Sequence, residues 1–193
     1  MTTPSSTPAA RGRYARTHEL LQRHALELFE ERGYDQTTTA QIAAAAGVTE
    51  MTFFRHFASK DRVLLDDPYD PMIVAGIAGQ PLGDPALLRA SRGTRAAWEM
   101  LPEPASNETR RRVRIVARTP SLRAAMVDHS AESEAVVVAQ LIRDGADPAV
   151  AAVAAAALMA AITAGLFVWA TADARPLGEA ILAALDVVEC SRA

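Results

Sequence analysis

Thr37-Thr38-Thr39-Ala40-Gln41-Ile42-Ala43-Ala44-Ala45-Ala46-Gly47-Val48-Thr49-Glu50-Met51-Thr52-Phe53-Phe54-Arg55-His56-Phe57 is the stretch that decides the fold. A run of threonines able to cap a helix leads into two turns of Ala-rich sequence, and Gly47 stops them. Thr49 then caps a second short helix over 50–57. Ala43 is small enough to let the two helices cross closely, and Ile42, Val48, Phe53 and Phe57 are spaced to fill the wedge behind them. Two short helices joined at one glycine are the layout of a helix-turn-helix.

Upstream, Leu21, Ala25, Leu28 and Phe29 form an apolar stripe at helical period, which predicts a helix over 14–32 ending at Gly33. Met1 to Ala10 is rich in Thr, Ser, Pro and Ala and has no basic-then-apolar leader pattern, so it reads as a disordered tail. Downstream, Ser59 is placed to cap a helix carrying Val63, Leu64 and Leu65. The Pro- and Gly-rich segment 68–84 reads as a linker or as a helix that starts late. Further helices are expected from an Asp84-Pro85 start to Leu101, over 106–118, over 120–144, from an Asp147-Pro148 start to Ala172, and after Pro176. The sum is about nine helices and no strand.

The composition agrees. The chain has 193 residues, half of them hydrophobic, yet only 5% aromatic, which suits a helical core and excludes general disorder. One cysteine, Cys190, excludes a disulfide scaffold and a Cys-based zinc site, and the chain reads as cytoplasmic. The net charge of −3 is unevenly placed: residues 1–65 carry 8 basic and 7 acidic side chains, the remainder 12 and 16. Arg11, Arg13, Arg16, Arg55 and Lys60 can converge on a phosphate backbone, or can be ordinary surface charge.

Residues 148–172 contain no Asp, Glu, Lys or Arg. That length can span a bilayer, but the content is mostly Ala and no flanking Lys/Arg bias orients it. A helix apolar all round is better explained as buried on several sides, one facing its own core and one a second copy of the chain, with the last helix completing a four-helix packing.

The segment from Leu21 to Leu65 resembles the TetR family of bacterial transcriptional regulators. The resemblance rests on Ala25-Leu26-Glu27-Leu28-Phe29, Gly33-Tyr34, Thr37-Thr38, Ile42-Ala43, Ala46-Gly47-Val48, Thr52-Phe53, Arg55-His56-Phe57 and Ser59-Lys60. It implies an all-α chain with a three-helix DNA-binding domain over 11–58 and a ligand-binding, dimerising helical bundle over 59–193. The stretch from Arg114-Ile115-Val116 to Thr119-Pro120-Ser121-Leu122-Arg123-Ala124 is similar to a subgroup linked to acyl-CoA-like ligands.

In a helix-turn-helix the second helix brings its first residues to base edges in the major groove, here Thr49, Glu50, Met51, Thr52 and Phe54. The resemblance implies that Thr38, Thr39, Thr49 and Lys60 hold phosphates, with Arg55 and His56 near the backbone and Arg13 and Arg16 reaching a flanking groove or phosphates. Two residues depart from the family pattern. Met51 replaces a small residue or proline, and Phe54 replaces tyrosine, which removes a phosphate hydrogen bond of about 1 kcal/mol. Trp98, Met100, Ile115, Met126, Met159, Phe167 and Trp169 are candidates to line an effector pocket, with Arg118 and His129 as polar groups for a carboxylate or phosphate. The implied partners are a palindromic duplex operator, a small-molecule effector and a second copy of the chain, and no cofactor is implied.

No catalytic constellation is present. His18, His24, His56 and His129 lack metal-ligand spacing, Cys190 has no adjacent base, and there is no Gly-rich phosphate loop. The remaining alternative to a regulator is a dimeric small-molecule- or protein-binding module whose recognition helix has drifted away from DNA.

Overall fold

The computed structural model describes residues 8–66, 69–100, 106–172 and 175–190. It shows ten helices and no strand among the described residues, in two compact units, 1–66 and 67–193.

The first unit comprises α1 (Pro8–Arg32), α2 (Thr39–Ala45), α3 (Glu50–His56) and α4 (Arg62–Leu65). Its core is Leu21, Ala25, Leu26 and Phe29 of α1 against Ile42 and Ala43 of α2, Phe53 and Phe57, and Val63 to Leu65 of α4. Val48, expected in the wedge, is only half-buried. Helix α1 begins at Pro8, inside the segment read as tail, and residues 1–7 lie outside the described ones. Helix α4 is capped by Asp61 and not by Ser59, and no side-chain hydrogen bond closes it. Because α4 packs on α1, the unit runs past residue 58, where sequence alone places its edge.

One cation ties this unit together. The Nζ of Lys60 donates to the carbonyl oxygens of Tyr34 (2.8 Å) and Thr37 (2.9 Å), and it stands 4.0 Å from the centre of the Tyr34 ring. Burial first, then the Asp61 and Asp35 carboxylates, push the Tyr34 phenol up to about 12, so the ring beneath the ammonium stays neutral.

The second unit comprises α5 (Asp70–Ala78), α6 (Ala86–Glu99), α7 (Ser106–Arg118), α8 (Pro120–Arg143), α9 (Pro148–Ala172) and α10 (Leu177–Cys190). Helix α5 brings the number of helices among the described residues from the expected nine to ten, in the segment whose sequence predicts a linker or a late-starting helix. Its glycine reads as a breaker in sequence but is a contact point in space. A Cβ on Gly76 would stand 2.2 Å from the Gly93 carbonyl oxygen, and one on Gly93 would stand 2.4 Å from the Ile77 nitrogen. The α5 and α6 backbones therefore touch where both lack a side chain. Helix α6 starts one residue later than expected, with Pro85 as its N-cap, and Asp84 pairs with Arg92 at 2.6 Å.

The core of this unit is Ile77, Ala90, Val137, Leu141, Ala151, Ala155, Leu158, Trp169, Ile181 and Leu185. Polar ties pin its edges. Arg89, only 2% exposed, donates to Asp144 at 2.6 Å, and the same carboxylate oxygen accepts from Gln140 at 2.9 Å. On α10, Glu189 accepts from Ser91 at 2.6 Å and from Arg95 at 3.2 Å, and Asp186 also accepts from Arg95.

Helix α9 is long and apolar enough to cross a membrane by length and composition. Ala151, Ala154, Ala155, Leu158 and Trp169 are buried on one face, and Gly165 allows α10 to approach until a Cβ there would meet Ala184 at 2.8 Å. The opposite face, with Val150, Val153, Ala160, Ala164 and Val168, is exposed in the single chain.

Two stability outcomes follow. Gly93→Ala is expected to lower the unfolding free energy by about 2 kcal/mol or more, since backbone atoms must move to admit the methyl group. Gly79→Ala, where the added carbon meets nothing nearer than 3.5 Å, is the matched control and stays near wild type in urea melts. Lys60→Met is expected to cost on the order of 2 kcal/mol, because it leaves two carbonyl oxygens without their charged donor. A first unit of unchanged stability in Lys60→Met contradicts this role for the ammonium.

Candidate nucleic-acid interface

The interface is built around the α2–α3 turn. The carbonyls of Ala43 and Ala44 accept from the amides of Val48 (2.9 Å) and Gly47 (3.1 Å), the paired bonds of a Schellman cap. This closure needs left-handed backbone at residue 47, where φ is +69°, a conformation that glycine adopts without steric cost. Thr38 caps α2 through a reciprocal box with Gln41: its Oγ1 accepts from the Gln41 amide at 3.2 Å, and the Gln41 side chain accepts from the Thr38 amide at 2.9 Å. Thr49 caps α3, accepting from the Thr52 amide at 3.2 Å.

Burial of Phe53 and Phe57 rotates α3 so that its other face meets solvent. Met51 is 74% exposed and Phe54 50%, with Thr49, Glu50 and Arg55 also exposed. Large apolar side chains on an open helix face, beside a cation, can contact thymine methyl groups and the backbone of a duplex. Thr52 is half-buried, its hydroxyl 3.0 Å from that of Thr49. Arg13 and Arg16 are exposed on the early turns of α1.

Several expected contact residues already have work inside the protein. The hydroxyl of Thr39 donates to the Glu50 carboxylate, pinning α2 to α3. Lys60, expected on a phosphate, has two of its three N–H groups directed at carbonyls, as described above. The reason is reach: α4 packs on α1, and that brings the Lys60 stem over Tyr34. His56 is half-buried under Tyr14, the two rings stacked 4.1 Å apart. Tyr14 was not among the expected residues. Its position four residues before His18 on the α1 stripe is the signal that points to it.

The effector-pocket candidates divide. Trp98, Ile115, Met126, Met159 and Phe167 are half-buried in the second unit. The Trp98 ring is 5.0 Å from that of Tyr69, and the Arg123 guanidinium lies 5.7 Å from the centre of Phe167. His129 is 14% exposed, its Nδ1 3.8 Å from a Glu132 carboxylate oxygen. Arg118 is exposed. Met100, at the C-cap of α6, is 82% exposed. Trp169 is fully buried in the core; its Nε1 donates to the Arg175 carbonyl at 2.8 Å, and Arg110 lies over its ring at 4.4 Å.

Comparison with known proteins matches both halves. Residues 22–66 fit the family described as bacterial regulatory proteins, tetR family, and residues 86–192 fit the family described as the MftR C-terminal domain. The HTH-type transcriptional regulator TcmR of Streptomyces glaucescens is 35% identical over 139 residues, spanning 68% of this chain and 62% of that protein. This chain thus spans less than two thirds of that relative's length. Among solved structures, SmeT, the repressor of the Stenotrophomonas maltophilia multidrug efflux pump SmeDEF, aligns over 89% of this chain and 87% of its own with a TM-score of 0.52 at 22% identity. A SmeT–triclosan complex aligns over 90% of each with a TM-score of 0.57 at 22% identity. NalD, the secondary repressor of the Pseudomonas aeruginosa MexAB-OprM pump, gives a TM-score of 0.54 at 21% identity over 91% of this chain and 94% of its own. At these identities the structural likeness speaks for the fold; the sequence matches to both units carry the assignment. A helix-turn-helix unit followed by a six-helix bundle, each matched in sequence, makes this chain a member of the TetR family of bacterial regulatory proteins.

Proposed function

We propose that this chain is a cytoplasmic, dimeric transcriptional repressor that binds a palindromic operator through α3 and leaves it when a small apolar or acyl-type effector occupies the second unit. The observation that carries the reading is the solvent-facing pair Met51 and Phe54, held outward by the burial of Phe53 and Phe57. Thr49, Glu50, Met51, Thr52 and Phe54 read base edges. Thr38, Thr39, Arg55, His56, Arg13 and Arg16 position the duplex through its phosphates. Lys60 shapes the unit from within and offers the backbone at most its third N–H.

The exposed α9 face supports the dimer. Val150, Val153, Ala157, Ala160, Ala164 and Val168 recur at helical period along one side, an apolar stripe that a second copy would cover. Trp98, Ile115, Met126, His129, Met159 and Phe167 are the pocket residues of this proposal, with Arg118 at its rim. The triclosan complex of SmeT supports a small apolar effector for a bundle of this fold. Effector binding then favours the conformers that cannot present both reading heads to one operator.

Titration against the DNA flanking its own gene tests the reading. Phe54→Ala and Met51→Ala are each expected to weaken specific binding about tenfold while leaving non-specific binding in place. Arg13→Ala with Arg16→Ala should weaken binding to every sequence and lower the log K against log salt slope by about 2. A chain that shows no salt-dependent duplex binding is instead a ligand- or protein-binding module. For the dimer, Val153→Glu with Val168→Glu should give a folded monomer by sedimentation; an undisturbed dimer places the contact elsewhere.

A further inference from the structure

A cluster of rings joins the early turns of α1 to the end of α3. Tyr14 covers His56 nearly face to face, with planes 27° apart. His18, one turn further along α1, lies 5.9 Å from His56 and 4.3 Å from Phe57. The Nδ1 of His56 is buried without a hydrogen-bond partner. Among the described residues, the titratable and charged groups facing this imidazole are Tyr14 and His18 from α1 and Arg55 from α3 itself, and His18 and Arg55 disfavour its cationic form.

Burial pushes the His56 ring below the usual histidine range, and His18 and Arg55 push it the same way. At neutral pH the free protein therefore presents a neutral imidazole. A DNA phosphate brought alongside reverses the balance, since a nearby anion favours the charged form. Resting on the reading of the first unit as a duplex-binding domain, we infer that His56 meets the DNA backbone as an imidazolium, so that duplex binding takes up a proton at the ring stacked beneath Tyr14.

The sign follows from linkage. The proton is bound more tightly in the complex than in the free chain, so affinity rises as pH falls through the complex's titration range. It levels off below that of the free protein. Each unit by which the phosphate raises the ring's pKa is a tenfold gain in affinity on the acid side.

The test uses the full chain and a short mixed-sequence duplex, because phosphate contacts do not depend on sequence. At fixed salt, binding is expected to tighten roughly tenfold between about pH 8 and pH 6. His56→Asn, which keeps a polar group but cannot charge, should lose most of that dependence. His24→Asn, half-buried on α1 beside Glu27, should keep it. Proton NMR of the wild-type ring reports independently of any variant's folding: its titration should move to higher pH when the duplex is added. A His56→Asn chain with the wild-type pH dependence, or a ring titrating at the same or lower pH in the complex, overturns the inference. Tight but pH-independent duplex binding overturns this inference alone, whereas absence of duplex binding at every pH removes the DNA-binding reading with it.

Discussion

The burial of Phe53 and Phe57 is the constraint on which the first unit depends. Helix α3 has seven residues and little helical stability of its own, so its orientation comes from what it buries. With two aromatic rings fixed against Ile42, Ala43 and the α1 stripe, Met51, Phe54 and Arg55 have only the outward direction left. The Gly47 turn sets the angle, and the Thr39–Glu50 bond sets the spacing between the two short helices. Under the proposed function, specificity and stability divide between the faces of one helix less than two turns long: changes on the outer face alter what is read, and changes on the inner face alter whether anything is presented at all.

The second unit follows a different logic, in which small residues let backbones approach. Gly76 and Gly93 bring α5 onto α6, and Gly165 brings α10 onto α9. Close approach of Ala- and Gly-rich helices leaves few large side chains for the core, and Trp169, Leu158, Ile181 and Leu185 supply much of its bulk. The same composition makes α9 apolar on every side, while a single chain covers only one of them. The uncovered stripe and the buried ion pair of Arg89 with Asp144 mark the extremes of this unit: apolar surface left in water, and charge drawn inside.

Much of this was legible in the sequence because caps, periodicity and glycine stops are local signals. The threonine caps at Thr38 and Thr49, the stop at Gly47 and the α1 stripe all specify structure within a few residues of themselves, and they appear where expected. Helix α5 was not legible, since Gly76 inside it and Pro68, Gly79 and Pro81 around it weaken a local helix signal that Asp70-Pro71 alone begins, and the compensation, contact with Gly93, lies on another helix. The role of Lys60 was hidden for the same reason, because its carbonyl partners on Tyr34 and Thr37 are more than twenty residues away in sequence. Met100, exposed at a helix end, and Trp169, buried in the core, read alike in the sequence as large apolar residues. Exposure at a helix end and burial in the core are set by tertiary packing, which periodicity does not report.

The most direct measurement is amide chemical-shift mapping of the chain on addition of a duplex carrying the region beside its own gene. The account predicts that the perturbed amides concentrate at Thr49 to Arg55 and on the first turns of α1 around Arg13 and Arg16, with the buried side of α9 unaffected. Perturbations that spare α3 and fall elsewhere contradict it.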